Sequence, residues 1–75
     1  MERYLNLGGN SSVAGFEIGL GAIAVAFNDG SCYLYTNQSA GIANIERMIE
    51  LAIGGSGLNR FINLYVKKGY ASKTR

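Results

Sequence analysis

The chain has no histidine and no proline, and it has one cysteine. Each gap removes a class of chemistry. Without histidine there is no ordinary general base near neutral pH and no partner for a serine or cysteine nucleophile. No catalytic activity is expected. One cysteine cannot close an intramolecular disulfide, so Cys32 reads as a small buried apolar residue, and the chain as a cytoplasmic protein of the reducing cytosol. The apolar stretch 20–27 is too short to cross a bilayer. Residues Met1 to Leu7 lack the basic head and long apolar run of a signal peptide. No membrane association and no cofactor are expected.

What is present is 48% hydrophobic, too apolar for a disordered chain. The 75 residues make one domain, 1–75, with residues 1–12 and 71–75 expected to be loose. A chain this short buries only roughly 60–65% of the surface its unfolded form exposes, so a partner or a second copy would add to a modest core. Eleven glycines punctuate the sequence without forming a repeat. Net charge is +2, unevenly spread. Residues 1–57 hold two basic groups and five acids, a net −3, whereas residues 58–75 hold five basic groups and no acid, a net +5. Such a split can mark a contact surface for an anionic partner, but a solvated helix end and tail is the more ordinary reading.

Residues 23–36 organise the rest. Asn28-Asp29-Gly30-Ser31 reads as a tight hairpin turn, with Asp29-Gly30 as a two-residue tip at positive φ. That tip sets Phe27 opposite Cys32, Ala26 opposite Tyr33, Val25 opposite Leu34, Ala24 opposite Tyr35 and Ile23 opposite Thr36. Side chains alternate faces along a strand. Ile23, Val25, Phe27, Cys32 and Leu34 are then expected to face the core, with Ala24, Ala26, Tyr33 and Tyr35 on the other side.

Ahead of the hairpin, residues 13–20 alternate, with Phe16, Ile18 and Leu20 on one face. Gly19 and Gly21 mark the turn that follows. Tyr4, Leu5 and Leu7 fit a short edge strand or a loose tail equally. Beyond the hairpin, Asn37 or Ser39 is a candidate cap for a helix in which Ile42, Ile45, Met48, Ile49 and Ala52 form one stripe. Gly54-Gly55 ends that helix. A second helix, capped by Ser56, carries Leu58, Phe61, Ile62, Tyr65 and Val66 at i, i+3, i+4, i+7 and i+8. Gly69 ends it, Tyr70-Ala71 packs back, and Ser72 to Arg75 is expected to fray. The order β-β-β-α-α predicts an α+β fold: a three-stranded antiparallel β-meander followed by two amphipathic helices packed on one face.

Candidate motifs are few. Glu46 and Glu50 stand four apart on a helix, but two carboxylates make a poor metal site and read as solvated surface. Gly54-Gly55-Ser56-Gly57 precedes a helix without the lysine and spacing of a phosphate loop, and reads as a helix–helix turn. Tyr33-Leu34-Tyr35 places two rings on one side of the sheet. They serve either to stack nucleic-acid bases or to pack over Ala24 and Ala26 beneath a helix.

The run Asp29-Gly30-Ser31-Cys32-Tyr33-Leu34-Tyr35, then a helix holding Leu51-Ala52, then Gly55-Ser56-Gly57-Leu58-Asn59-Arg60-Phe61-Ile62 and a late Tyr70 resembles the KTSC domain across residues 11–70. That short domain is named for the C-terminus of some lysyl-tRNA synthetases and also occurs as a free-standing bacterial or phage protein. Its pattern is a strand with Y-x-Y after a glycine turn, a helix, a small-residue turn with glycine, then an Asn and an Ile on the way to a terminal Tyr. At Thr36–Ala40 the chain departs from that pattern, lacking the hydrophobic-proline lead-in to the helix. The resemblance implies the same fold and, through the attachment to a synthetase, RNA binding.

The expected function is a small non-catalytic binding module for RNA. Tyr33 and Tyr35 would offer ring faces, while Arg60, Lys67, Lys68 and Lys73 attract the phosphate backbone. The alternative is a protein-contact or self-associating accessory protein, encoded by a phage or a mobile element.

Overall fold

The computed structural model describes residues 1–74, and in it five antiparallel strands lie side by side in the order in which the chain makes them. They are β1 (Glu2–Arg3), β2 (Val13–Gly19), β3 (Ala22–Phe27), β4 (Cys32–Thr36) and β5 (Ser72–Thr74). Between β4 and β5 come α1 (Asn37–Ala40), α2 (Ile42–Gly54) and α3 (Leu58–Phe61), the last running on into a π-helical turn, Ile62–Val66. The fold is α+β with an antiparallel sheet, but the three-stranded layout is corrected to five strands. β1 has two residues and β5 three, too short to display an alternating pattern. Ser72–Thr74, expected to fray, pairs with β4; Arg75 lies outside the described residues. Among the described residues, no helix is long and apolar enough to cross a membrane.

The β3–β4 hairpin pairs one residue away from the expected register. Ala26 lies opposite Cys32, Val25 opposite Tyr33, Ala24 opposite Leu34 and Ile23 opposite Tyr35. The turn is the cause. Gly30 N–H donates to the Phe27 carbonyl (3.0 Å) and Phe27 N–H donates to the Ser31 carbonyl (2.8 Å), closing a three-residue loop over Asn28, Asp29 and Gly30. Gly30 alone takes a positive φ there, 90°. This is a type I turn followed by a left-handed glycine bulge, where the expectation was a two-residue turn. The Asp29 carboxylate fixes it, accepting from Ser31 N–H (2.9 Å) and Ser31 O–H (2.6 Å).

A slip of one residue turns every side chain of β4 over, while those of β3 keep the faces expected of them. Ile23, Val25, Phe27, Tyr33 and Tyr35 therefore face the helices, and Ala24, Ala26, Cys32 and Leu34 face away. Tyr35 is 1% exposed and Leu34 36%. The placement of Leu34 and Cys32 in the core, with the tyrosine pair on the far face, is overturned.

In β2 a bulge between Val13 and Gly15 lets both Val13 and Phe16 point inward. Ile18 is only partly covered. Leu20, expected in the core, is fully exposed at the tip of a two-residue turn with Gly21 at φ 64°.

Thr36, and not Asn37 or Ser39, caps the first helical turn. Its hydroxyl accepts from Ser39 N–H (3.1 Å) while Thr36 N–H donates to Ser39 Oγ (2.9 Å), a capping box. That turn stops at Gly41 and α2 starts anew. Ile45, Met48 and Ala52 are buried along α2, whereas Ile42 stands in solvent at its first position. Gly55 closes α2 in the left-handed conformation. Gly57, not Ser56, precedes α3, with no side-chain cap. The wider turn of the π segment rotates the chain less per residue than an α-helix does. Leu58, Ile62 and Val66 thus stay in one buried line, and Tyr65 swings out to 67% exposure.

The core joins Val13, Phe16, Ile23, Val25 and Tyr35 of the sheet to Ile45, Met48, Leu58, Ile62 and Val66 of the helices. Tyr4 seals one edge, its hydroxyl accepting from Leu58 N–H (3.2 Å). The open choice at the amino end resolves as a short strand followed by this buried ring.

Candidate ligand groove

The observed register sends Tyr33 and Tyr35 beneath the helical layer near the hairpin turn, and the layer does not close over them. Between the β3–β4 hairpin and the α3–π helix lies a groove of about 530 Å³. Phe27, Tyr33, Tyr35 and Tyr70 give it an aromatic lining, and Asn59, Asn63, Lys67 and Lys68 run along its helical wall. The opposite rim is the turn itself, Asp29 and Ser31.

The rings support one another. Tyr33 meets Tyr70 edge-on with centroids 4.9 Å apart, meets Phe27 edge-on at 5.4 Å, and stacks on Tyr35 at 6.4 Å. Tyr70 arrives by a reversal at Gly69. Gly69 N–H donates to the Val66 carbonyl (2.7 Å), and Ala71 N–H donates to the Leu34 carbonyl (2.6 Å). The chain is thereby folded from the π segment back to the edge of β4, with Tyr70 laid over the tyrosine pair at 37% exposure. On the helical wall, the Asn59 side-chain oxygen Oδ1 accepts from the Ser12 hydroxyl (3.0 Å), tying the wall to the loop before β2.

Among the described residues, two titratable groups are shifted. Burial, with smaller contributions from Tyr33 and Tyr70, pushes the Tyr35 phenol up to about 12. The Ser31 hydroxyl, then the Ser31 amide, holds the Asp29 carboxyl below its ordinary value, and Lys73 acts in the same direction. The single carboxylate of the rim is therefore ionised and already engaged. Lys73 also places its ammonium 5.3 Å from the centroid of the Tyr33 ring, a cation–π contact made possible by β5.

Of the residues singled out in the sequence, Tyr33, Tyr35, Lys67 and Lys68 meet at this groove, and Lys73 adjoins it through the Tyr33 ring. Arg60 does not belong: it lies on the far side of α3, beside Arg47, Leu51, Phe61 and Tyr65. Phe27, Asn59, Asn63 and Tyr70 were not singled out. Tyr70 carried a signal, a tyrosine just after a helix-ending glycine. Asn59 and Asn63, four apart, carried only the appearance of an outward face.

Chemically the groove offers an aromatic floor, a wall of amides and ammonium groups, and one carboxylate that is already engaged. Among the described residues no three His, Cys, Asp or Glu side chains cluster as a metal site would require. Compared with known proteins, the chain matches no family model, no curated protein and no solved structure.

Proposed function

We propose that this protein is a small non-catalytic binding module whose groove takes single-stranded RNA. One observation carries the reading: aromatic rings, side-chain amides and two lysines converge on a single groove of about 530 Å³. An unstacked base offers a π-face to Tyr70 or Tyr33 and its edge to Asn59 and Asn63, while Lys67 and Lys68 meet the phosphates. Tyr35 has a different part from the one first assigned to it. It is too deeply buried to stack a base and instead backs Tyr33 and Tyr70 from below. The resemblance to the KTSC domain, with its tie to a synthetase, supports the same ligand, and a reducing cytosol suits the free thiol of Cys32.

The test is fluorescence anisotropy with labelled oligouridine. Binding is expected at low salt and should fall steeply as salt rises. Tyr70→Ala should remove one stacking surface, about 1–3 kcal/mol, or roughly 5- to 150-fold in affinity. Lys67→Glu with Lys68→Glu should weaken binding by at least about tenfold, and Arg60→Gln, outside the groove, by much less. No binding at low salt, or binding indifferent to salt, rejects RNA as the ligand.

A further inference from the structure

Tyr35 is 1% exposed, yet among the described residues its hydroxyl has no hydrogen-bond partner, unlike that of Tyr4. Burial and the neighbouring phenols of Tyr33 and Tyr70 act on it, and no hydrogen bond does. Among the same residues, no polar side-chain atom that is shut off from solvent lacks a partner. The Tyr35 hydroxyl is therefore not shut off: it opens into the groove that the residue lines. A ligand that settles over this hydroxyl must bond it or leave a sealed donor unpaired.

Asn59 narrows what the ligand must offer. Its Oδ1 already accepts from the Ser12 hydroxyl at 3.0 Å, so its Nδ2 is left to donate. The Tyr35 phenol, pushed up to about 12, keeps its proton at neutral pH and donates as well. Asp29, the carboxylate of the rim, spends Oδ1 on Ser31. Floor and helical wall thus both present donors, and the matching edge of a base carries two acceptors.

Resting on the RNA reading above, we propose that the groove selects uracil, and that the Tyr35 hydroxyl and the Asn59 amide are the groups that read it. Uracil carries the carbonyl oxygens O2 and O4 on either side of N3. Cytosine has an amino group in place of O4, so there a donor meets a donor. Stacking on Tyr33 or Tyr70 and phosphate contact with Lys67 and Lys68 are alike for the two pyrimidines, and the choice between them falls on the two donors. The Tyr35 ring stays beneath its neighbours, and its oxygen alone touches the base. A base that leaves one of these donors desolvated and unpaired loses about tenfold in affinity.

Fluorescence anisotropy on the whole chain, comparing oligouridine with oligocytidine of equal length at one low salt concentration, tests this. The wild type should bind oligouridine about tenfold more tightly. Tyr35→Phe keeps the ring and should bring oligouridine down to the level of oligocytidine, with circular dichroism unchanged at neutral pH. Ser12→Ala, outside the core, frees the Asn59 amide to turn over and should narrow the ratio as well. Equal binding of the two oligomers, or a Tyr35→Phe variant that keeps the wild-type ratio, overturns uracil selection and leaves the RNA reading standing. If neither oligomer binds, the RNA reading falls, and uridine and cytidine monophosphates titrated by NMR decide the base question alone. Tighter uridine monophosphate binding that Tyr35→Phe abolishes upholds the selection, and any other result overturns it.

Discussion

At Tyr35 a phenol ring fills the core while its rim reaches the groove lining. An ordinary tyrosine ionises near 10.0; here the value is about 12. The neutral form is therefore the one the fold favours. Its stabilisation is complete below pH 10 and is lost as pH rises from there through about 12. Tyr35→Phe should remove this part of the alkaline stability loss, seen as a flatter urea midpoint against pH, and should subtract one late-titrating phenolate from the absorbance curve. Truncation is a different matter. Tyr35→Ala opens a cavity beneath Tyr33 and Tyr70 and should cost about 3–5 kcal/mol, much of the stability of so small a domain.

Among the connecting elements, three glycines separate conformational strain from crowding. At Gly30, φ is 90° and an added Cβ would meet nothing within 4 Å, so Gly30→Ala reports the left-handed conformation alone. It should cost about 1–2 kcal/mol. At Gly55 an added Cβ would lie 2.6 Å from the Leu5 Cβ, at φ 75°, so Gly55→Ala should cost more than Gly30→Ala. Gly54 is the last residue of α2 with open space around it, and Gly54→Ala should stabilise by about 0.5–1 kcal/mol. Urea denaturation of the three variants checks the order.

The same elements show what was legible beforehand. The existence of β2, β3, β4 and α2 follows from apolar periods of two and of about 3.6, which local sequence carries well. The register does not. Asp-Gly fits a two-residue and a three-residue loop, and the choice rests on Ser31 bonding back to Asp29, a contact that strand spacing does not show. The π turn is similarly silent, because Tyr65 matches the helical template that the wider turn defeats. Part of the groove was readable from the basic carboxyl-terminal stretch and the Tyr-x-Tyr pair. That Tyr70 packs back after Gly69 was readable too, but not where it lands, and the two asparagines were not, since their convergence on the tyrosine pair depends on contacts between distant parts of the chain.

Taken whole, the molecule combines a meander of sequence-adjacent strands with a chain that contains no proline. Mixed two-state domains of this size fold in about milliseconds, and the slow phases of small single domains commonly come from proline isomerisation. Stopped-flow refolding at low protein concentration should recover its full amplitude in one fast phase, with none left over seconds to minutes. Closure of the fold nevertheless waits on distant partners. Tyr4 receives the amide of Leu58, and β5 completes the sheet from the far end of the chain. During synthesis, then, the two central hairpins leave the ribosome ready to pair before the Leu58 amide that Tyr4 receives has been made. The candidate groove, walled by α3 and its π turn and covered by Tyr70, takes shape only after those hairpins.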